Sequence, residues 1–283
     1  MLNVAYYNGK ISLIEEMMIP LNDRAVYFGD GVYEVVYFKS GKIFALYDHL
    51  DRFYNSLRGV FIKFNMSRED LQDLLYSLIS KIDDNSEGII YWQVSRGTAA
   101  RNHVFPNPSV EPNLLAYVKT KAAPNMKNKI RLITTDDIRF KMCNIKTINL
   151  LPNILASQKA EEMGCAEAVL HRNGIVTECS HSNISILKNG VLKTAPLTEY
   201  ILPGTVRKQL IELCGANGIP VDQTAFTLAE LIAADEIILM STTAMIRSAC
   251  EINGETVGGK APDLLEFLQD KYTERIITEL NIQ

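Results

Sequence analysis

A lysine interrupts an apolar run in RFKMCNIKTINLLP, residues 139–152, where Lys146 has Met142, Cys143, Ile145, Ile148, Leu150 and Leu151 for company. The composition of the run predicts burial, and an ammonium taken out of water must pair, lose its proton or react. Two readings stay open for it: a lysine at a strand end with its stem packed and its amine in water, or an amine made nucleophilic by desolvation and able to form an imine with a carbonyl. Downstream, GIVTECSHSNISI puts Glu178 straight after a strand pattern, among Thr177, Ser180, His181, Ser182 and Asn183. A polar cluster of that kind between apolar strands marks either ligand contacts or turn capping. In ILPGTVRKQL, Pro203 and Gly204 lead into a helix, so the N–H groups near Thr205 and Val206 sit at a positive dipole end that suits a phosphate or simply starts the helix. STTAMIRSA supplies the hydroxyls of Ser241, Thr242 and Thr243 for an anion or for strand-end backbone. In RGTAARNHVFP, Arg101 and His103 can present donors to a carboxylate or stand on an exposed loop.

These residues need elements to hold them, and the pattern supplies both kinds. YYNGK and YFKSGKIFAL carry Asn-Gly and Ser-Gly pairs between β-favouring runs, which is hairpin chemistry. DHLDRFYNSLRGV puts Leu50, Phe53, Tyr54 and Leu57 on one helical face, and Ser67 with Asp70 opens a second helix through LQDLLYSLISKI. EGIIYWQVSRG and NLLAYVK follow as strands. Past the polar TKAAPNMKN, the pattern predicts a strand at IRLITT and a helix in LLPNILASQKAEEMG ending at Gly164. Hairpins follow at EAVLHRNGIVTE and SNISILKNGVLKT, then a helix from Thr205, the strand EIILMS and an amphipathic C-terminal helix. The division predicted is a smaller N-terminal α/β domain over 1–119, an interdomain linker, or else a surface loop within one domain, over 120–125, and a larger C-terminal domain over 126–283.

Composition narrows the partners. With 283 residues, 47% hydrophobic and 22% charged, the chain has the make-up of a compact soluble protein too long for most single cores. A net charge of −4 offers no general basic field for nucleic acid, which leaves small molecules or a second copy as partners. The cysteines at 143, 165, 179, 214 and 250 form no CxxC pair, which predicts reduced thiols, no structural metal site and a cytoplasmic setting. No signal core or membrane span is expected from the apolar runs.

The motifs in their order resemble the fold-type IV pyridoxal-phosphate enzymes, the branched-chain and D-amino-acid aminotransferase group, over nearly the whole length. FGDGVYEVV resembles that family's early motif, DHLDRFYNS its phosphate-arginine helix, and the block from CNIKTINLLP to VTECSHSN its lysine-to-glutamate signature. The RNH of 101–103 resembles the carboxylate-binding element of the D-amino-acid transaminases. The resemblance implies an α+β fold in two domains and pyridoxal 5′-phosphate as cofactor. Lys146 would hold it covalently and move the proton at the substrate α-carbon, and Glu178 would bond its pyridine nitrogen. Arg52, the backbone at Thr205 and Val206, and Thr242 would take its phosphate, with Ser182 a further contact.

The same resemblance assigns Tyr33, Arg101 and His103 to the substrate, the last two reaching in from a neighbouring subunit to complete the site of a homodimer. The reaction implied is ping-pong exchange between a D-amino acid, such as D-alanine or D-glutamate, and a 2-oxo acid. An L-branched-chain aminotransferase or an aminodeoxychorismate-type lyase would use the same lysine and glutamate. Cys179 and His181 depart from the family's usual glycine and small hydroxyl residue.

Overall fold

The computed structural model describes residues 3–82 and 86–282, and the chain divides into two compact units. One comprises Met1–Ala123 with Ile145–Asn149 and Glu279–Gln283; the other comprises Pro124–Asn144 and Leu150–Thr278. The lysine segment is therefore part of the N-terminal unit although it lies far along the chain.

The first unit begins with β1 (Asn3–Tyr7) and β2 (Lys10–Leu13), then α1 (Arg24–Phe28), β3 (Gly31–Lys39), β4 (Lys42–Ile43), α2 (Leu46–Gly59), α3 (Arg68–Ile79), β5 (Glu87–Ser95) and β6 (Asn113–Thr120). Its strands form one antiparallel sheet in the order β2-β1-β6-β5-β3-β4. The two predicted hairpins are present, with Asn8 and Gly9, and Ser40 and Gly41, at positive φ as the primed turns require. Strand alternation puts Val32, Val36 and Phe38 of β3, with Ile90, Trp92 and Val94 of β5, on one face. Leu50, Phe53 and Leu57 of α2 and Leu71, Leu75 and Leu78 of α3 close over that face, each at most 2% exposed. Ser67 caps α3 by accepting from the Asp70 N–H.

The second unit contains β7 (Ile130–Asp136), α4 (Leu151–Glu162), β8 (Glu167–Arg172), β9 (Ile175–Cys179), β10 (Asn183–Lys188), β11 (Val191–Thr194), α5 (Thr205–Ala216), β12 (Val221–Asp222), α6 (Leu228–Ile232), β13 (Glu236–Ser241), β14 (Met245–Ile252), β15 (Glu255–Thr256) and, as far as Thr278, α7 (Pro262–Leu280). The sheet runs β12-β11-β10-β13-β14-β7-β8-β9, with β15 beside β14. Pairing is parallel where β7 meets β14 and β8, and antiparallel in the hairpins β8–β9 and β10–β11, which turn at Asn173-Gly174 and Asn189-Gly190. Its apolar centre includes Leu132, Val169, Ile184, Ile237 and Leu239. No helix of the described residues is long and apolar enough to cross a membrane.

Burial expected for residues 139–152 does not hold as a whole. Residues 139–150 form no helix or strand and α4 begins at Leu151, and Phe140, Met142 and Leu151 are 58%, 48% and 66% exposed. Composition suggested a core run there, but it has neither a helix nor a strand period, and only such a period places several apolar side chains on one face.

Candidate functional site

In the N-terminal unit, Lys146 is held by its backbone on two sides. Its carbonyl accepts from the Tyr33 N–H at 2.9 Å and its N–H donates to Ser56 Oγ of α2 at 3.2 Å. Thr147 bridges to Val32, and Ile148 N–H donates to Gly31 O, so residues 145–149 run along the start of β3. Close packing fixes the distance: a Cβ at Gly59 would meet Ile145 Cδ1 at 2.8 Å, and one at Gly31 would meet Ile148 Cδ1 at 3.0 Å. The outcome is a half-buried lysine whose Nζ lies 4.3 Å from the centroid of the Tyr33 ring.

Arg52 sits on the buried face of α2, 9% exposed. Its Nε and Nη2 grip Glu34 at 2.7 and 2.8 Å, and His49 Nδ1 lies 2.8 Å from the same carboxylate. Glu34 shares the core face of β3 with Val32 and Val36 and is fully buried. Burial alone would raise its pKa, but the Arg52 charge and bonds, helped by His49, hold it well below the carboxylate range. Burial keeps His49 below the ordinary imidazole value against the pull of Glu34. Arg101 and His103 lie exposed on the loop after β5 and both approach Phe28, with the guanidinium 5.2 Å and the imidazole 5.5 Å from its ring centroid.

In the second unit, Glu178 is the next-to-last residue of β9, at 5% exposure. One oxygen accepts from Arg139 Nη1, the other from Asn183 Nδ2 at 2.8 Å and the Leu202 N–H at 3.1 Å. Arg139 is shared: it also donates twice to Asp137 and once to the Tyr200 carbonyl. Burial outweighs these bonds and pushes the Glu178 carboxyl up to about 6.

Gly204 is the N-cap of α5 and has no side chain to cap with. A Cβ there would overlap Asn183 Oδ1, so the glycine is what lets Asn183 stand between Glu178 and the Leu202 carbonyl. Thr205 and Val206, which begin α5, are 6% and 3% exposed, and Thr242 is half-buried in the turn between β13 and β14. Ser182 is buried and gives its hydroxyl proton to Glu167 at 2.5 Å, while His181 Nε2 meets the same carboxylate at 3.2 Å.

Each unit thus gathers part of the expected set: Lys146 with Tyr33 in the first, and Glu178 with the turn into α5 in the second. Reading by motif passed over Glu34, His49, Asp137 and Arg139. Only Glu34 carried a local signal, an acid on the apolar side of an alternating strand, which needs a buried partner.

The amino-transferase class IV model matches residues 31–252, most of the chain. The chain belongs to that family. It is 36% identical over 274 residues to the D-alanine aminotransferase of Staphylococcus aureus (strain MSSA476), covering 96% of this chain and 97% of that one. It is 40% identical over 268 residues to the D-alanine aminotransferase of Listeria monocytogenes serotype 4b (strain F2365), covering 93% and 92%. Among solved structures it resembles a T.th. branched-chain amino acid aminotransferase complexed with N-(5′-phosphopyridoxyl)-L-glutamate, with a TM-score of 0.85, 24% identity and coverage of 98% and 96%. The fold is that of the fold-type IV aminotransferases, a family of pyridoxal-phosphate enzymes.

Proposed function

We propose that this aminotransferase exchanges the amino group of a D-amino acid, D-alanine or D-glutamate for instance, with a 2-oxo acid. The observation that carries the reading is similarity to D-alanine aminotransferases over more than nine-tenths of the chain. Residues suited to pyridoxal 5′-phosphate are present. Lys146 supplies an amine, Glu178 a buried carboxylate for a ring nitrogen, Arg52 a guanidinium stiffened by Glu34, and α5 a first turn entered through a glycine.

The cofactor would supply an aldehyde to take up the amino group and a ring to hold the electrons left when the α-hydrogen departs. Lys146 would hold the cofactor between turnovers, then act as the acid and base that moves a proton between the substrate α-carbon and the cofactor's aldehyde-derived carbon. Tyr33, its ring under the Lys146 amine, would keep that amine aimed. Glu178, fixed by Asn183 and the Leu202 N–H, would keep a proton on the ring nitrogen. Arg52, the N–H groups of Thr205 and Val206, and the Thr242 hydroxyl would hold the phosphate; Ser182 would support that side through Glu167. Arg101 and His103 would take the substrate carboxylate and so decide which enantiomer turns its hydrogen toward Lys146.

A homodimer would bring Arg101 and His103 into the partner's site. Exposed Leu151, Ile154 and Leu155, at successive positions along one side of α4, are apolar surface that a second copy would cover. The five scattered cysteines suit a cytoplasmic setting.

The test is pyruvate formation from D-alanine with 2-oxoglutarate, run beside L-alanine and L-leucine. D-alanine should be strongly preferred, and borohydride should fix the cofactor to Lys146. Preference for L-leucine would replace this reading with L-branched-chain transfer, and pyruvate release from aminodeoxychorismate without an amino acceptor would replace it with the lyase.

A further inference from the structure

The loop that carries Arg101 and His103 forms no regular element, yet it is held in one place by charged residues packed beneath it. Arg24, the first residue of α1, is 3% exposed. Its Nη1 donates to the carbonyl of Asn102 at 2.8 Å and to that of Val104 at 3.3 Å. Asn102 stands between Arg101 and His103, so one guanidinium nitrogen fixes the backbone at the middle of the tripeptide.

Arg24 is itself locked. Its Nε donates to Asp30 Oδ2 at 2.7 Å, and Asp30 also receives Arg96 through Nε at 2.9 Å and Nη2 at 2.9 Å. Arg96 in turn donates to the carbonyls of Val60 and Phe61 at the end of α2, at 2.8 and 3.0 Å. Its guanidinium lies 3.6 Å from the Phe105 ring centroid, which pins the far end of the loop. Backbone bonds complete the clamp: Arg24 N–H to Gly97 O, Ala99 N–H to Asn22 O, and a bridge between Asp23 and Thr98. The Arg24 guanidinium sits 4.8 Å from the Phe28 ring centroid, the same ring that Arg101 and His103 approach.

We propose that Arg24, locked by Asp30 and Arg96, is the positioning residue of the carboxylate-binding loop, holding the backbone of residues 101–104 so that Arg101 and His103 are presented together. The inference rests on the reading of Arg101 and His103 as carboxylate ligands given above. Arginine is required because the position serves four partners at once: an acid at Nε, two carbonyls at Nη1 and an aromatic face. Lysine would keep the charge and lose that division of donors. Both substrates carry a carboxylate next to the reacting carbon, so a loosened loop weakens the binding of both and leaves the proton transfer at Lys146 in place.

The experiment uses the holoenzyme with Arg24→Lys and, should that variant fail to fold, Asp30→Asn, which frees Arg24 without removing it. The expected result is a rise of about tenfold in KM for D-alanine and for 2-oxoglutarate together, the scale of one charge-assisted hydrogen bond. kcat should change less than KM, and the cofactor's absorption should not move. Hydrogen exchange of the amides from Thr98 to Phe105 should quicken. The triple variant Arg24→Lys with Arg101→Gln and His103→Gln should bind substrate no worse than the Arg101→Gln, His103→Gln double variant, because Arg24 acts through those two side chains. Unchanged KM with unchanged exchange, or a further loss in the triple variant, overturns the inference. If Arg101→Gln alone leaves both KM values unaltered, the carboxylate reading has failed instead, and the exchange data then tell separately whether Arg24 holds the loop.

Discussion

Glu34 and Glu178 are both buried carboxylates, and their partners push them in opposite directions. Glu34 meets the fork of Arg52 through two bonds, with His49 beside it, so the ion pair prevails over burial. Glu178 shares Arg139 with Asp137, and burial prevails, placing its carboxyl near 6 against an ordinary 4.5. Between those values the folded chain binds more protons at this site than the unfolded one, so the contribution is present in full below pH 4.5 and is lost as pH rises toward 6. The difference in unfolding free energy between the cofactor-free protein and its Glu178→Gln variant should therefore fall by about 2 kcal/mol across that window. Urea unfolding at a series of pH values reads it, and a difference that stays level shows the carboxyl is not raised. For Glu34 the sign reverses: its contribution is complete above 4.5 and drains away as pH falls through the depressed folded value. Glu34→Gln should cost about 3 kcal/mol at pH 7, because Arg52 is left buried against half a partner, and should flatten the acid limb below pH 4.5. Parallel acid limbs in the two proteins would contradict the pairing.

At the scale of elements, α5 and β10 are fitted together through a missing methyl group. Gly204 has φ −66°, which any residue can adopt, so its role is space and not backbone freedom. Gly204→Ala would push Asn183 off the Glu178 carboxylate and shift the first turn of α5, with an overpacking cost of about 1–3 kcal/mol. The variant should retain less bound cofactor after dialysis than the parent, whereas Gly215→Ala, where a Cβ meets nothing within 4 Å, should retain as much. Elements of this kind were readable in the chain only where local chemistry forces them. The hairpins at Asn8-Gly9, Ser40-Gly41, Asn173-Gly174 and Asn189-Gly190 announce themselves because type I′ turns demand positive φ at both centres. The helix α3 announces itself through Ser67 and its leucine stripe. The α1 turn, five residues long, has too few to show a period, and the cluster of Arg24, Asp30 and Arg96 is assembled from separate segments by tertiary contact alone. For the same reason, Lys146 could be picked out by its type and neighbours, while the strand it runs beside could not.

For the whole molecule, the proposed homodimer raises the question of which chain's Arg101 and His103 serve a given Lys146. Arg101 and His103 are exposed at the surface of one copy, on a loop whose backbone is firmly held, as suits side chains that serve a second copy. Subunit mixing decides it. A Lys146→Ala chain has lost its amine and keeps its loop; an Arg101→Gln, His103→Gln chain has lost its loop donors and keeps its amine. Each homodimer alone should be nearly inactive with D-alanine. In a mixed dimer, exchange across the interface puts an intact loop opposite an intact lysine at one of the two sites, while the other site has neither. Equal mixing after reversible dissociation makes half the dimers mixed, so about a quarter of the parental activity should return if the sites act independently. Were the loop to serve the lysine of its own chain, each site in the mixed dimer would still lack one part, and no activity would return at any mixing ratio.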